Sequence, residues 1–254
     1  YIHPTDPNYL INGNDGGLNF SRDGGDNWTF VNNLPVGQFY HIAVDNAEPY
    51  NVYGGMQDNG SWVGPSAVWH TGGIRNEDWQ EVLFGDGFNV QPTGDGEVYA
   101  MYQGGAVNRV NLTTLGSTDI QPVSPDSVPL RFAWNGALAL DPHNQDGLYF
   151  GSQRPHHSPD RGRTWATLSG DLTTNDPDKL QQATSGGLTI DATKAENHCT
   201  ILCIAPSATR PDEVWVGTDD GRLQHTTDGG ATWTDHGAKL KGLPEGSWIP
   251  QIHM

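Results

Sequence analysis

Ser21-Arg22-Asp23-Gly24-Gly25-Asp26-Asn27-Trp28 is the first of three copies of one pattern in this chain. The other two are Ser158-Pro159-Asp160-Arg161-Gly162-Arg163-Thr164-Trp165 and Thr226-Thr227-Asp228-Gly229-Gly230-Ala231-Thr232-Trp233. All three read Ser/Thr-x-Asp-x-Gly-x-Asn/Thr-Trp, and three matches in one chain indicate a structural repeat rather than coincidence. We call each copy a repeat turn.

The residue types of the repeat turn indicate a scaffold. Glycine permits the positive φ of a hairpin, the Asp carboxylate accepts hydrogen bonds from turn N–H groups, and the Trp ring packs between neighbouring sheets. A carboxylate held by backbone donors has a low pKa and makes a poor general acid. The residues predicted to be structural are Asp23, Trp28, Asp160, Trp165, Asp228 and Trp233.

The sequence before each of the last two repeat turns reads as strand, turn, strand, turn. Ala137–Pro142 and Gly147–Gly151 precede the second copy, and the same order runs from Ile201 to Trp233. Four strands in succession are the unit of a propeller blade. The sequence therefore predicts an all-β β-propeller with about five four-stranded antiparallel blades, at residues 1–37, 38–85, 86–130, 131–196 and 197–247.

Residues 248–254 are predicted to form an extra inner strand. Either this strand completes the first blade and closes a five-bladed ring, or the single domain 1–254 is a fragment of a larger propeller. We favour the fragment, because a domain boundary is expected in a linker and neither end resembles one. Residues 169–197 of the fourth blade are predicted to form an exposed polar loop.

Composition excludes several classes of function. A net charge of −17 argues against nucleic acid as a partner, because affinity for phosphates comes from Lys and Arg. No apolar run is long enough for a membrane-spanning helix. Cys199 and Cys203 lie four apart in a predicted strand, about 13 Å from one another, which excludes a disulfide between them. The sequence predicts neither a metal site nor a cofactor.

Further motifs resemble one particular family. They are Gly13-Asn14-Asp15-Gly16-Gly17, Asn33-Leu34-Pro35-Val36-Gly37-Gln38-Phe39-Tyr40, Gly55-Met56-Gln57-Asp58-Asn59-Gly60-Ser61-Trp62, Gly85-Asp86-Gly87-Phe88 and Asp171-Leu172-Thr173-Thr174-Asn175-Asp176-Pro177. Together with the repeat turns, they resemble bacterial BNR or Asp-box repeat, sortilin-like propellers that are often labelled glycosyl hydrolases. The two-propeller xyloglucanases and sortilin are more distantly similar.

That resemblance implies a secreted or periplasmic propeller, usually part of a longer polypeptide, with no settled activity. The glycosidase label in such families often rests on the Asp-box itself, and this motif is a scaffold feature. The resemblance is therefore weak support for catalysis.

The strand order of a blade places one set of turns and connections on a common top face. Carboxylates, amides and aromatic rings on such a face suit sugar recognition. The same Asp-Gly and Asn-Gly pairs are also what tight hairpins prefer, which is the alternative explanation. The predicted ligand-binding residues are Asp15, Gln57, Arg131, Trp134, Asp219 and Asp220.

Two functions fit this face. The first is non-catalytic binding of a glycan or a protein. The alternative is a glycoside hydrolase acting on a β-glucan-like polysaccharide, which needs two carboxyl groups about 5 Å or about 6.5–9.5 Å apart. Asp58 and Asp86 are the candidate catalytic pair, because Gly85-Asp86-Gly87-Phe88 opens a connection beside the blade that carries Asp58. Whether the chain is an enzyme is left open.

Overall fold

The chain is an all-β protein. The computed structural model describes residues 1–34, 36–181 and 197–254, and within them the strands form five four-stranded antiparallel sheets. Each sheet consists of four consecutive strands, which is the construction of a propeller blade and confirms the predicted fold class. The helical elements in the described residues are three short 3-10 turns, at Asn76–Asp78, Gln103–Gly105 and Gly237–Lys239.

The chain divides into two compact units, which are described separately. Tyr1–Gln38 contains one sheet, formed by β1 (Ile2–His3), β2 (Asp6–Asn14), β3 (Gly17–Ser21) and β4 (Thr29–Phe30). Phe39–Met254 contains the other four sheets. A large part of the loop predicted at 169–197 lies outside the described residues.

The strands of the second unit are β5 (His41–Val44), β6 (Asn51–Met56), β7 (Gly60–Pro65), β8 (Gln80–Leu83), β9 (Val90–Pro92), β10 (Glu97–Tyr102), β11 (Ala106–Asn111), β12 (Ser117–Asp119), β13 (Ala137–Leu140), β14 (Leu148–Gly151), β15 (Pro155–Ser158), β16 (Ala166–Thr167), β17 (Ile201–Pro206), β18 (Val214–Thr218), β19 (Leu223–Thr226) and β20 (Thr234–Asp235). In each sheet the first strand in sequence is at one edge and is called the inner strand.

The core of the second unit lies between successive sheets. Alternate residues of a strand face opposite sides, so two successive sheets of this unit can each present an apolar row to the other. Tyr53 packs in a cluster with Val90 of the next inner strand, and Tyr149 packs with Ile201 in the same way. Burial of these rows stabilises the stack.

Because the strands are antiparallel, the turns of the second unit lie at two opposite ends of the sheets. The hairpins β6–β7, β10–β11, β14–β15 and β18–β19 lie at the same end of the sheets as the connections that lead from one sheet to the next. We call this the upper end. The repeat turns at Ser158–Trp165 and Thr226–Trp233 join the third and fourth strands of their sheets and lie at the lower end.

The apolar run predicted as a strand from Cys199 begins two residues later than expected. Cys199 has a φ of 56°, which is incompatible with an extended strand, so β17 begins at Ile201. Both cysteines are free thiols. In the described part of the chain, no helix is long and apolar enough to cross a membrane.

Candidate functional site

The three repeat turns use their carboxylates in the same way. In the first turn, Asp23 accepts hydrogen bonds from the hydroxyl of Ser21 at 2.7 Å and from the backbone N–H of Asn27 at 2.9 Å. The second and third turns repeat this geometry around Asp160 and Asp228. These hydrogen bonds lower the pKa of Asp23 and of Asp228 to about 2, so both carboxyl groups are charged at neutral pH.

The tryptophans of the repeat turns differ in their surroundings. Trp165 packs against the core and donates its indole N–H to the carbonyl of Ile120 at 2.8 Å, and Trp233 packs on the cluster that contains Tyr149. Trp28 leaves 45% of its surface exposed. Its ring lies beside Gly25 of its own turn. The expectation that all three rings pack between sheets therefore does not describe Trp28.

At the upper end, a side chain from each of three hairpins holds the connection that precedes its sheet. Gln103 accepts a hydrogen bond from the backbone N–H of Asp86 at 2.8 Å. Gln153 accepts one from the N–H of Arg131 at 2.8 Å. Asp220 accepts one from the N–H of Thr174 at 2.7 Å. We call these three side chains the connection latches.

Asp58 and Asp86, the candidate catalytic pair, are neighbours. The backbone N–H of Asp58, which has a φ of 62°, donates to Oδ1 of Asp86 at 2.9 Å. Asp86 is only 9% exposed. Its carboxylate thus stabilises the left-handed conformation of the β6–β7 hairpin, a role that the sequence spacing did not reveal.

Asp219 and Asp220 are buried, at 3% and 5% exposure, whereas the sequence placed them on an open binding face. The reason is that threonines of the preceding connection and of strand β18 cover them. Asp219 accepts the N–H and hydroxyl of Thr200 at 2.9 and 2.7 Å, and Asp220 accepts the hydroxyls of Thr174 and Thr218. Burial raises the pKa of Asp219. Burial also opposes ionisation of Asp220, but its hydrogen bonds outweigh burial and lower its pKa.

The other four predicted binding residues differ in their exposure and in their contacts. Arg131 forms an ion pair with Asp171 at 2.6 Å, with only 20% of its side chain exposed. Trp134 is partly buried against the core. Gln57 accepts a hydrogen bond from the hydroxyl of Tyr40 at 2.6 Å. Asp15 is exposed in the β2–β3 hairpin of the first unit.

Three exposed aromatic rings mark the upper end of the second unit. Tyr40 is 47% exposed, Phe84 76% and Trp248 64%. Sequence reasoning missed Phe84, because a single aromatic residue after a strand resembles the end of a core strand. Phe88, which follows closely, is fully buried instead.

His41 and Asn135 form a polar contact at the same end that no sequence motif indicated. Nε2 of His41, the first residue of β5, lies 2.8 Å from the amide nitrogen of Asn135, 94 residues later in the chain. Burial lowers the pKa of His41, and its hydrogen bond to Asn135 opposes this effect. A neutral imidazole accepts the amide N–H. This hydrogen bond between two uncharged side chains joins the start of β5 to the residues just before β13.

The described residues contain no group of three or more His, Cys, Asp or Glu side chains placed to hold a metal ion. The upper end therefore combines carboxylates that already accept hydrogen bonds from the protein, neutral amides and exposed aromatic rings. Its chemistry favours hydrogen bonding and stacking.

The fold defines the chain as a protein of β-propeller blades. No family model matches the sequence, and no curated protein matches it. Among solved structures, the chain is similar to the GH74 xyloglucanase from Xanthomonas campestris, at 17% identity and a TM-score of 0.49. That match covers 90% of this chain and 36% of the xyloglucanase, so the chain spans about a third of its length.

Two other solved structures are also similar. YCF48 bound to D1 peptide matches at 16% identity and a TM-score of 0.49, covering 95% of this chain and 68% of that one. The extracellular domain of a putative hybrid two component system from B. thetaiotaomicron matches at 12% identity and a TM-score of 0.46, covering 89% of this chain and 26% of that one.

Proposed function

We propose that the chain is a secreted or periplasmic Asp-box propeller that binds a ligand at its upper end without converting it. The observation that carries the proposal is that the carboxylates at this end are hydrogen-bonded within the protein, whereas aromatic rings are exposed. Asp86, Asp171, Asp219 and Asp220 already accept hydrogen bonds from the protein, while Tyr40, Phe84 and Trp248 expose their rings. Such a surface offers contact area rather than free acids.

A glycan is the ligand that this surface suits best, with a protein as the second possibility. The apolar face of a pyranose stacks on a flat aromatic ring, and amides satisfy its hydroxyl groups. Tyr40 is held in place for such a contact, because its hydroxyl is bonded to Gln57 and its ring lies 4.8 Å from that of Phe88. The net charge of −17 favours a neutral or cationic ligand.

The test is a glycan-array and polysaccharide screen followed by titration of any hit with Tyr40→Ala and Phe84→Ala. Each variant is expected to weaken binding about twofold to tenfold, since an aromatic contact contributes about 0.5–1.5 kcal/mol. Trp69→Ala is the matched control, because Trp69 is 98% exposed but belongs to the lower β7–β8 connection. Equal loss of affinity in the control would rule out a site at the upper end.

Hydrolysis of a β-glucan-like polysaccharide is the alternative function, and the closeness of Asp58 to Asp86 is the observation in its favour. Release of new reducing ends from such polysaccharides tests it directly. Under the alternative, Asp58→Asn abolishes this release while the variant remains folded. Under our proposal, neither the parent chain nor the variant releases any sugar.

A further inference from the structure

Two asparagines that precede inner strands of the second unit use their amide groups differently. Asn89, just before β9, donates from Nδ2 to the carbonyl of Leu138 at 3.3 Å and accepts from Gln91 at 2.6 Å. Asn135, two residues before β13, donates from Nδ2 to Nε2 of His41. Its Oδ1 has no donor among the described residues and is not one of the buried unpaired atoms, so solvent reaches it. Asn135 therefore keeps an open acceptor.

His41 adds an open donor beside this acceptor. Because its Nε2 accepts the amide N–H of Asn135 at 2.8 Å, the neutral imidazole carries its proton on Nδ1. In the part of the chain that the structure describes, Nδ1 has no acceptor within hydrogen-bonding distance, and His41 is an exposed residue. The two side chains thus present one donor and one acceptor next to each other.

An exposed aromatic ring accompanies this pair. Tyr40 directly precedes His41 in the chain, is 47% exposed and is fixed by the hydrogen bond from its hydroxyl to Gln57. The three side chains of Tyr40, His41 and Asn135 combine a flat ring with a donor and an acceptor, and they carry no formal charge. A sugar ring can stack on the first and form hydrogen bonds with the other two.

We propose that His41 and Asn135 form the polar half of the ligand site at the upper end and bind two neighbouring hydroxyl groups of a neutral sugar. Nδ1–H of His41 donates to one hydroxyl oxygen, and Oδ1 of Asn135 accepts the O–H of the next. A vicinal diol matches the pair because each hydroxyl can donate and accept, whereas a carboxylate has no proton to offer Asn135. This inference rests on the proposed function and adds the class of sugar and the residues that select it.

The hydrogen-bonding state of the pair can be measured without a ligand. Long-range proton–nitrogen NMR correlation at mildly alkaline pH is expected to show the neutral imidazole of His41 with its proton on Nδ1. In Asn135→Asp, a carboxylate acceptor replaces the amide donor, so the ring is expected to place a proton on Nε2 instead. A parent ring with its proton on Nε2 would overturn the proposal, because Nδ1 could then not donate.

The binding test uses cellotetraose, mannotetraose and galactotetraose, which are neutral and carry free vicinal diols. His41→Gln keeps an acceptor for Asn135 but has no donor at the position of Nδ1, so it is expected to weaken binding about twofold to tenfold. His70→Gln is the matched control, since it makes the same change in the lower β7–β8 connection, and it is expected to bind like the parent. Laminarin is the reference probe and should bind more weakly, because inner units of its main chain lack two neighbouring free hydroxyls.

The outcomes separate this inference from the proposed function. If an oligosaccharide binds and Tyr40→Ala weakens it while His41→Gln binds like the parent, the pair is not part of the site and the proposed function stands. Equal affinity for laminarin, or equal loss in His70→Gln, would also overturn the inference. If none of the three oligosaccharides binds, the assignment of a neutral diol is wrong, and the glycan array decides the proposed function separately.

Discussion

Gln153 accepts the backbone N–H of Arg131 at 2.8 Å and donates its own amide N–H to the carbonyl of Pro129 at 3.0 Å. Its side chain is 1% exposed. One carboxamide therefore satisfies two backbone groups of the connection that precedes its sheet. These two hydrogen bonds stabilise the fold.

Gln153→Ala is expected to destabilise the protein by about 1–3 kcal/mol, because the N–H of Arg131 and the carbonyl of Pro129 lose their partner in a buried place. Chemical denaturation measures the change in the free energy of unfolding. Gln153→Glu is the matched comparison, since it keeps the acceptor for Arg131 and loses the donor for Pro129. Equal stability of the alanine variant and the parent would contradict this role.

Asp86→Ala is expected to destabilise the protein by about 1–3 kcal/mol and to speed hydrogen exchange of the Asp58 amide, which loses its acceptor. Asp86→Asn retains an acceptor oxygen, so its effect should be smaller. If Asp86 were a catalytic acid with no structural part, both variants would melt like the parent and the exchange rate of Asp58 would not change.

Acid should weaken the third repeat turn. The folded-state pKa of Asp228 lies at about 2, below its ordinary value of 3.8, so its contribution to stability is present above pH 4 and is lost as the pH falls towards 2. The melting temperature of the parent should therefore fall across this window more steeply than that of Asp228→Asn. Parallel profiles for the two proteins would show that the carboxylate is not engaged.

The repeat-turn tryptophans should differ in their contribution to stability. Trp165→Ala removes a core contact and the hydrogen bond to Ile120, and a cost of about 3–5 kcal/mol is expected. Trp28→Ala should cost less than about 1 kcal/mol, because Trp28 is 45% exposed. Calorimetry of the two variants tests the difference, and similar melting temperatures would contradict it.

Arg161 joins two sheets at the lower end. Its guanidinium lies 2.6 Å from Asp95 and 3.1 Å from Glu97 of the sheet before it, and 2.7 Å from Asp146 of its own sheet. Arg161→Ala should cost about 2 kcal/mol, since hydrogen bonds to charged groups contribute about 1.5–3 kcal/mol. Arg161→Lys should recover part of that loss, and denaturation at low and high salt measures both.

Local sequence patterns were sufficient for the sheets and the repeat turns. Alternating apolar residues, Gly-rich hairpins and the repeated Asp and Trp all act within a few residues of one another. The latches were not predictable in this way, because the partners of Gln103, Gln153 and Asp220 lie 17, 22 and 46 residues away. The sequence of a hairpin does not show whether its polar side chain faces a ligand or a backbone N–H.

Local sequence patterns also do not show which aromatic side chains are exposed to solvent. Phe84 and Phe88 are four residues apart and chemically identical, yet one is 76% exposed and the other fully buried. Their exposure differs because Phe88 packs against Tyr40 and in the core of the second unit.

The connection latches also bear on the thermodynamics of recognition. Ordering a loop costs about 1–2 kcal/mol of conformational entropy per residue. At the upper end, Gln103, Gln153 and Asp220 fix the backbone at Asp86, Arg131 and Thr174 during folding, before any ligand arrives. A ligand that contacts these three positions meets backbone that is already ordered, so its association there should carry a small entropic penalty.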